Sequence, residues 1–364
     1  MSETPFLITI DTEGDDLWAR PREITTRNAE YLPRFQSLCE RFGFKPVYLT
    51  NYEMAMSAVF VAFGRDIVSR GAGEIGMHLH AWNSPPLEPL TNDDFYYQPY
   101  LIEYPEPVMK EKIRTLTRLL EHRFDEKMVS HRAGRWAFDG RYAAMLIDEG
   151  YCVDCSVTPG VDWRGNPGDP RGGGGSNYTA FPERPYFLSP SDISVPAPGG
   201  LLEVPMTIRP SRLYRRAPWA YRTPLLRRAA NRVSLGLNWL CPVQPAHRAP
   251  LDRNLNAMLQ TARGARSEAP AHMEFMLHSS ELMPGGSPIF RTASDIERLY
   301  ESLEILFEDL STWCCGATLK EFHARFENSP AAAGGPGNSL PDRVDYPGRK
   351  TPESTEVTSG MAGA

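Results

Sequence analysis

The sequence predicts an α/β fold built on parallel strands, and two observations carry that prediction. Strand-like and helix-like segments alternate at short range through the first half of the chain, the pattern of repeated βαβ units. Ionisable side chains then fall at the ends of apolar strands: Asp11, His78, His80, Arg132 and His278. Parallel sheets and barrels assemble their sites at the C-terminal ends of strands, so such groups on one rim support the same fold.

The elements follow in order. Residues 5–11 read as a short buried strand. Tyr31, Leu32, Phe35, Leu38 and Phe42 recur at helical spacing within 25–43, and Gly43 stops that helix. Residues 46–50 are strand-like, 53–70 helical and 74–80 the next strand. A loop rich in proline and aromatic residues runs from Trp82 to about 105. An amphipathic helix over 106–123, a strand over 128–133, a helix over 139–149 closed by Gly150 and a strand over 151–157 complete the regular part. From about 158 the alternation breaks. Gly172 to Gly175 is a flexible loop, 182–200 is rich in Pro and Ser, and 200–208 reads as a strand before an arginine-rich stretch. Regularity returns with a strand over 273–278, a helix over 293–310 with Ile296, Leu299, Leu303, Leu306 and Leu310 on one face, and a short helix over 318–326. The expectation is one domain over 1–327 with an insertion at about 158–265, followed by a disordered tail over 328–364.

Composition narrows the class without naming a partner. A hydrophobic share of 41% is enough for a sizeable core, and a net charge of −6 is mild. Cysteines at 39, 152, 155, 241, 314 and 315 form no disulfide framework, which points to a reducing compartment. Cys152 and Cys155 have redox-motif spacing, but inside an apolar run they read as two buried thiols. No signal peptide is visible at Met1–Pro5 and no apolar run could span a bilayer, so the expected location is cytoplasmic.

The chemistry sits in Asp11-Thr12-Glu13 and His78-Leu79-His80. Residues two apart on an extended segment share a face, so each cluster can present two ionisable groups together. Such groups are costly to bury unless they pair or hold a metal. Carboxylate and imidazole are the usual oxygen and nitrogen ligands of a zinc-like ion. A metal-assisted hydrolase is the expectation. The structural alternatives are an Asp11 that caps a helix or pairs with arginine, a metal-free hydrogen-bonded histidine pair, a core His278, and an Arg132 in a purely structural ion pair. His122, His131, His247, His272 and His323 read as surface or packing residues.

At these residues the sequence resembles the polysaccharide deacetylase (NodB-homology) superfamily, and is most similar to its WalW-like branch linked to surface-polysaccharide and lipopolysaccharide biosynthesis. The motifs are Ile10-Asp11-Thr12-Glu13-Gly14, Glu74-Ile75-Gly76-Met77-His78, Ser130-His131-Arg132-Ala133-Gly134-Arg135 and Met276-Leu277-His278-Ser279-Ser280, within roughly 5–325. The resemblance implies a distorted (β/α) barrel of the glycoside hydrolase/deacetylase type and metal-dependent removal of N- or O-acyl groups from sugars. It implies Asp11 as general base, Arg132 as the group that orients it and His278 as general acid. The family's second aspartate is Thr12 here, which leaves Glu13 as substitute metal ligand, with Asp15 or Asp16 as alternatives. The family's second histidine falls at Trp82, so His78 and His80 are the expected imidazole ligands. The implied cofactor is a divalent metal, zinc first, and the implied substrate an acylated amino sugar carrying acetyl or formyl. The competing class is a weakly catalytic or non-catalytic homologue that binds glycan with the same rim.

The arginine-rich stretch has its own reading. No acidic residue lies between Glu203 and Asp252, a span holding nine arginines from Arg209 to Arg248 interleaved with Tyr214, Trp219, Tyr221 and Trp239. Arginine forks match phosphate and carboxylate, and arginine with aromatics suits a membrane interface. The expected partner is an anionic lipid-linked glycan or the inner membrane surface, with no nucleic acid; a solvated basic loop is the alternative.

Overall fold

The computed structural model describes residues 3–210, 237–242 and 251–329. Strands β1 (Thr4–Thr12), β2 (Pro46–Thr50), β3 (Glu74–Leu79), β4 (Ser130–Ala133), β5 (Val153–Asp154), β6 (Tyr186–Ser189), β7 (Asp192–Pro196), β8 (Leu202–Glu203), β9 (Ile208–Pro210), β10 (Leu237–Trp239), β11 (Met273–His278) and β12 (Cys314–Gly316) follow in chain order. The main helices are α1 (Leu32–Arg41), α2 (Tyr52–Met56), α3 (Ala58–Ser69), α4 (Glu106–Phe124), α5 (Gly140–Asp148), α6 (Leu251–Arg266), α7 (Ala293–Ser311) and α8 (Leu319–Glu327).

The sheet runs β11-β1-β2-β3-β4-β5-β8-β6-β7, with β12 beside the start of β1. From β11 to β8 every ladder is parallel, and β6 and β7 join antiparallel at the far edge. The stretch after β8 spans the gap back to β11: the His272 ring meets the Pro205 carbonyl at 2.7 Å, Glu274 N–H donates to Thr207 Oγ1 at 2.8 Å, and Met276 N–H donates to the Leu240 carbonyl at 3.2 Å. The result is a distorted (β/α) barrel, as the resemblance implies.

The period of two along each strand divides the core. Phe6, Ile8, Ile10 and Tyr48 lie in the outer layer beneath the helices, with Phe35, Phe60, Leu299 and Leu303. Leu7, Val47, Leu49, Val153, Cys155 and Leu202 face inward and pack on Leu319, Phe322 and Phe326 of α8, which plugs the N-terminal end. Thr318 caps α8, and the Glu74 carboxylate of β3 accepts from Lys320 N–H at 2.9 Å. Polar residues of the same inward parity, Thr9, Asp11 and Glu13, therefore continue upward into the barrel.

Several boundaries differ from the sequence expectation. The helix expected over 25–43 starts at Leu32, after a 3₁₀ turn over Arg27–Tyr31. The Asp15 carboxylate holds that turn through Arg27 N–H, Asn28 N–H and Thr25 Oγ1. The helix over 53–70 breaks at extended Ser57, which caps α3. The strand over 151–157 contracts to Val153–Asp154. The stretch expected as an insertion supplies β6, β7 and β8 to the sheet. Arg209 pairs with Glu268; the other arginines of its stretch, from Arg212 to Arg248, and the tail from 330 onward lie outside the described residues. Cys39, Cys152, Cys155, Cys314 and Cys315 form no disulfide, with Cys155 buried and Cys152 half-buried. Of the histidines expected to be surface or packing residues, His131 and His272 are buried packing residues. Among the described residues no helix is long and apolar enough to cross a membrane.

Candidate metal centre and active site

The residues expected at the rim come together. Asp11 and His278 are register partners on β1 and β11, His78 and Arg132 on β3 and β4. Glu13 and His80 follow one step beyond, with the same inward parity. Glu13 Oε2 lies 2.9 Å from His80 Nε2 and 3.6 Å from His78 Nε2, and the two Nε2 atoms are 3.1 Å apart. Among the described residues this is the one cluster of three such ligand atoms, all within 4.8 Å of one another. Tetrahedral zinc with bonds of about 2.0–2.2 Å needs neighbouring ligands roughly 3.3–3.6 Å apart; the separations of 2.9, 3.1 and 3.6 Å need to open by only a few tenths of an ångström, so the donor set fits a divalent ion. Asp15 is tied up in the Thr25–Asn28 turn, and neither it nor Asp16 belongs to this cluster.

Second contacts fix the ligands. His78 Nδ1 faces the Arg132 carbonyl at 3.0 Å; a carbonyl only accepts, so Nδ1 carries the proton and Nε2 keeps its lone pair for the site. The Ser279 hydroxyl bridges the Glu13 backbone, accepting from its N–H at 3.1 Å and donating to its carbonyl at 3.2 Å, while Asn28 Nδ2 donates to the same carbonyl at 2.8 Å. Trp82, at the family's usual second-histidine position, packs its ring 5.7 Å from His80 and against Phe95. Gly134 lets the turn after β4 pass the site: a Cβ there would lie 2.4 Å from the Leu79 carbonyl and 2.8 Å from His80 Nδ1.

Asp11 and His278 flank this triad. Arg132 Nη1 donates to Asp11 Oδ1 at 2.6 Å across the barrel interior, and Asp11 Oδ2 stands 3.8 Å from His78 Nε2 and 3.9 Å from His278 Nε2. Burial favours a neutral Asp11, but Arg132 and the two imidazoles outweigh it and hold the carboxyl below its usual range. Glu13 is held well below its range by His78 and His80, again against burial. Burial opposes a charge on His78 as well, yet Asp11 and Glu13 raise its pKa; for His80 burial wins and lowers it. His278 is partly exposed, with its ring edge-on to Trp18 at 4.8 Å. Its Nδ1 pairs with Glu281 Oε1 at 3.2 Å, and that contact overcomes burial to push the pKa up to about 9.

The sequence places Ser279 and Gly134 within the motifs and Glu281 at the start of a loop, 281–288, expected at the pocket rim, but it assigns no role to them, to Thr9 or to Glu274. Glu281 and Ser279 lie in the 3₁₀ turn directly after His278, and Glu274 shares the parity of His278 on its own strand. A charged residue mid-strand with the parity of a site residue was the available signal.

A curved parallel sheet with this strand-end cluster defines the class: a distorted barrel of the glycoside hydrolase/deacetylase kind. A solved structure of a candidate glycoside hydrolase/deacetylase from Parabacteroides distasonis overlaps 90% of this chain and 72% of its own, with a TM-score of 0.55 at 10% identity. A candidate polysaccharide deacetylase from Mycobacterium smegmatis overlaps 90% of this chain and 96% of its own, at 13% identity and a TM-score of 0.49. A candidate polysaccharide deacetylase involved in O-antigen biosynthesis, from Bordetella bronchiseptica, overlaps 88% and 90%, at 12% identity and a TM-score of 0.34. The first overlap establishes the fold, which is the one the sequence resemblance implied. No protein-family profile and no curated protein sequence matches the chain.

Proposed function

We propose that the protein removes an N-acyl group, acetyl or formyl, from an amino sugar by metal-dependent hydrolysis. One observation carries the reading: three convergent ligand atoms of Glu13, His78 and His80 lie beside an arginine-held carboxylate and a carboxylate-held imidazole that stand 3.9 Å apart. A divalent ion on that triad, zinc by its nitrogen-rich donor set, would supply Lewis acidity to the acyl carbonyl and a bound water of pKa about 7. Asp11 keeps Oδ1 on Arg132 and leaves Oδ2 facing the same space, placed to take the proton of the attacking water. His278 is protonated at neutral pH; with Nδ1–H on Glu281, its Nε2–H protonates the departing amine as the C–N bond breaks. A buried anionic base and a cationic acid 3.9 Å apart beside one centre suit amide hydrolysis near neutrality.

The setting in surface-polysaccharide or lipopolysaccharide assembly rests on the sequence motifs, and the cytoplasmic location on cysteines that form no disulfide framework. The arginines from Arg212 to Arg248 then meet an anionic lipid-linked glycan or the inner membrane surface, and their neutralisation should abolish vesicle binding.

Elemental analysis of the purified protein should find one divalent ion per chain, lost in His78→Ala. Asp11→Asn should keep the ion and slow acetate or formate release from acylated amino sugars by roughly 10²-fold or more. A metal-free wild type that still binds glycan would replace hydrolysis with binding alone.

A further inference from the structure

Glu274 is a buried ionisable group that the proposed hydrolysis leaves without a task. It sits on β11 four residues before His278, fully buried in the barrel interior. Its Oε1 accepts from Arg132 Nη2 at 2.5 Å and from Thr9 Oγ1 at 3.0 Å, and its Oε2 has no hydrogen-bond partner. The same guanidinium donates Nη1–H to Asp11 Oδ1 at 2.6 Å, Nη2–H to Thr9 Oγ1 at 2.7 Å and Nε–H to the Cys155 carbonyl at 3.1 Å.

Charge balance alone does not call for this residue. Arg132 is already neutralised by Asp11, and in the dry interior burial pushes the Glu274 carboxyl up to about 7 against the pull of Arg132, so a second full negative charge is disfavoured there. Geometry does call for it. A guanidinium is planar and rigid, so anchoring its Nη2 edge and its Nε fixes the direction in which Nη1 points. Without Glu274 the Nη2 edge rests on one neutral hydroxyl, whose single proton is shared between Glu274 and the Phe275 carbonyl. We infer that Glu274 is a positioning residue: it clamps the Nη2 edge of Arg132 so that Nη1 holds Asp11 with Oδ2 turned into the site. The inference rests on the proposed hydrolysis for its consequence in rate, and on the interior geometry alone for the clamp.

The test is a double-mutant cycle with a spectroscopic arm. Glu274→Leu should lower kcat for acyl release roughly 10- to 100-fold, the range expected when a reacting group is misaimed. KM and metal content should stay within about twofold. Arg132→Met with Glu274→Leu should be no slower than Arg132→Met alone, because residues acting through one group do not add. Glu274→Gln, of the same size and still able to accept on Oε1, should fall between wild type and Glu274→Leu, and it is decisive if the leucine variant unfolds. In the arginine ¹⁵N spectrum of the whole protein, assigned by loss in Arg132→Met, the Nη signals of Arg132 should be separate and slowly exchanging, and should merge in both Glu274 variants. Losses that multiply in the double variant, or Arg132 signals unchanged by Glu274 substitution, would overturn the clamp. A wild type that releases no acyl group would overturn the hydrolysis and leave the clamp to be decided by the nitrogen spectrum.

Discussion

Asp11 Oδ2 and His278 Nε2 stand 3.9 Å apart, yet their surroundings push them to opposite roles. Arg132 keeps the carboxylate ionised, and Glu281 keeps the imidazole protonated. The consequence for stability has a definite sign. The folded pKa of His278, about 9, exceeds its ordinary 6.5, so the bound proton stabilises the native state. That contribution is complete below pH 6.5 and is lost as the pH rises through 9. In metal-free protein, the difference in urea midpoint between wild type and Glu281→Gln should therefore be largest below pH 6.5 and close above pH 9. A gap that does not change with pH would contradict the role of Glu281. His-x-His and Asp-x-Glu are legible in the amino-acid order alone, because a period of two puts alternate residues on one face. Glu281, Ser279 and Glu274 are not, because their roles depend on which strand or turn lies beside them.

At the scale of elements, the turn after β4 does more than connect. Arg135 and Trp136 both adopt left-handed backbone, at φ 55° and 63°, conformations that cost non-glycine residues about 1–3 kcal/mol each. The turn brings the Trp136 ring over Arg132, with the guanidinium carbon 4.8 Å from its centroid. Gly134 starts this turn against the backbone of β3. Gly134→Ala should displace His80 and weaken metal binding by roughly 10- to 100-fold, the usual effect of disturbing a ligand's support. Titration of the apo protein with zinc checks this; unchanged affinity would mean that the ring and turn yield without loss. The long apolar strands β1, β3 and β11 and the periodic helices α4 and α7 are readable from sequence, since burial pattern and length agree in each. The break at Ser57, the two-residue β5 and the three-residue β12 are not. A cap within a continuous helical pattern and strands this short leave little periodic signal.

Over the whole molecule, the barrel is apolar at one end, where α8 plugs it, and carries its ionisable groups towards the other. Holding the two carboxylates of Glu13 and Asp11 in one dry interior against a single guanidinium is costly, so the folded state should gain from metal. Binding only to the native state at a free ion concentration of 100 times Kd adds roughly 2.7 kcal/mol. Zinc should thus raise the thermal midpoint of the chelated wild type by several degrees and leave His78→Ala unmoved; equal shifts in both would place the ion elsewhere. The sequence by itself determined the parallel α/β class, the strand-end rim and six of its residues, because periodicity, parity and residue chemistry are local properties. Only the tertiary structure decided that Glu13 rather than Asp15 completes the triad and that Glu274 stands behind Arg132. Those are contacts between residues as much as 266 positions apart, as in Glu13 with Ser279, and they exist only once the sheet curves and brings β11 beside β1.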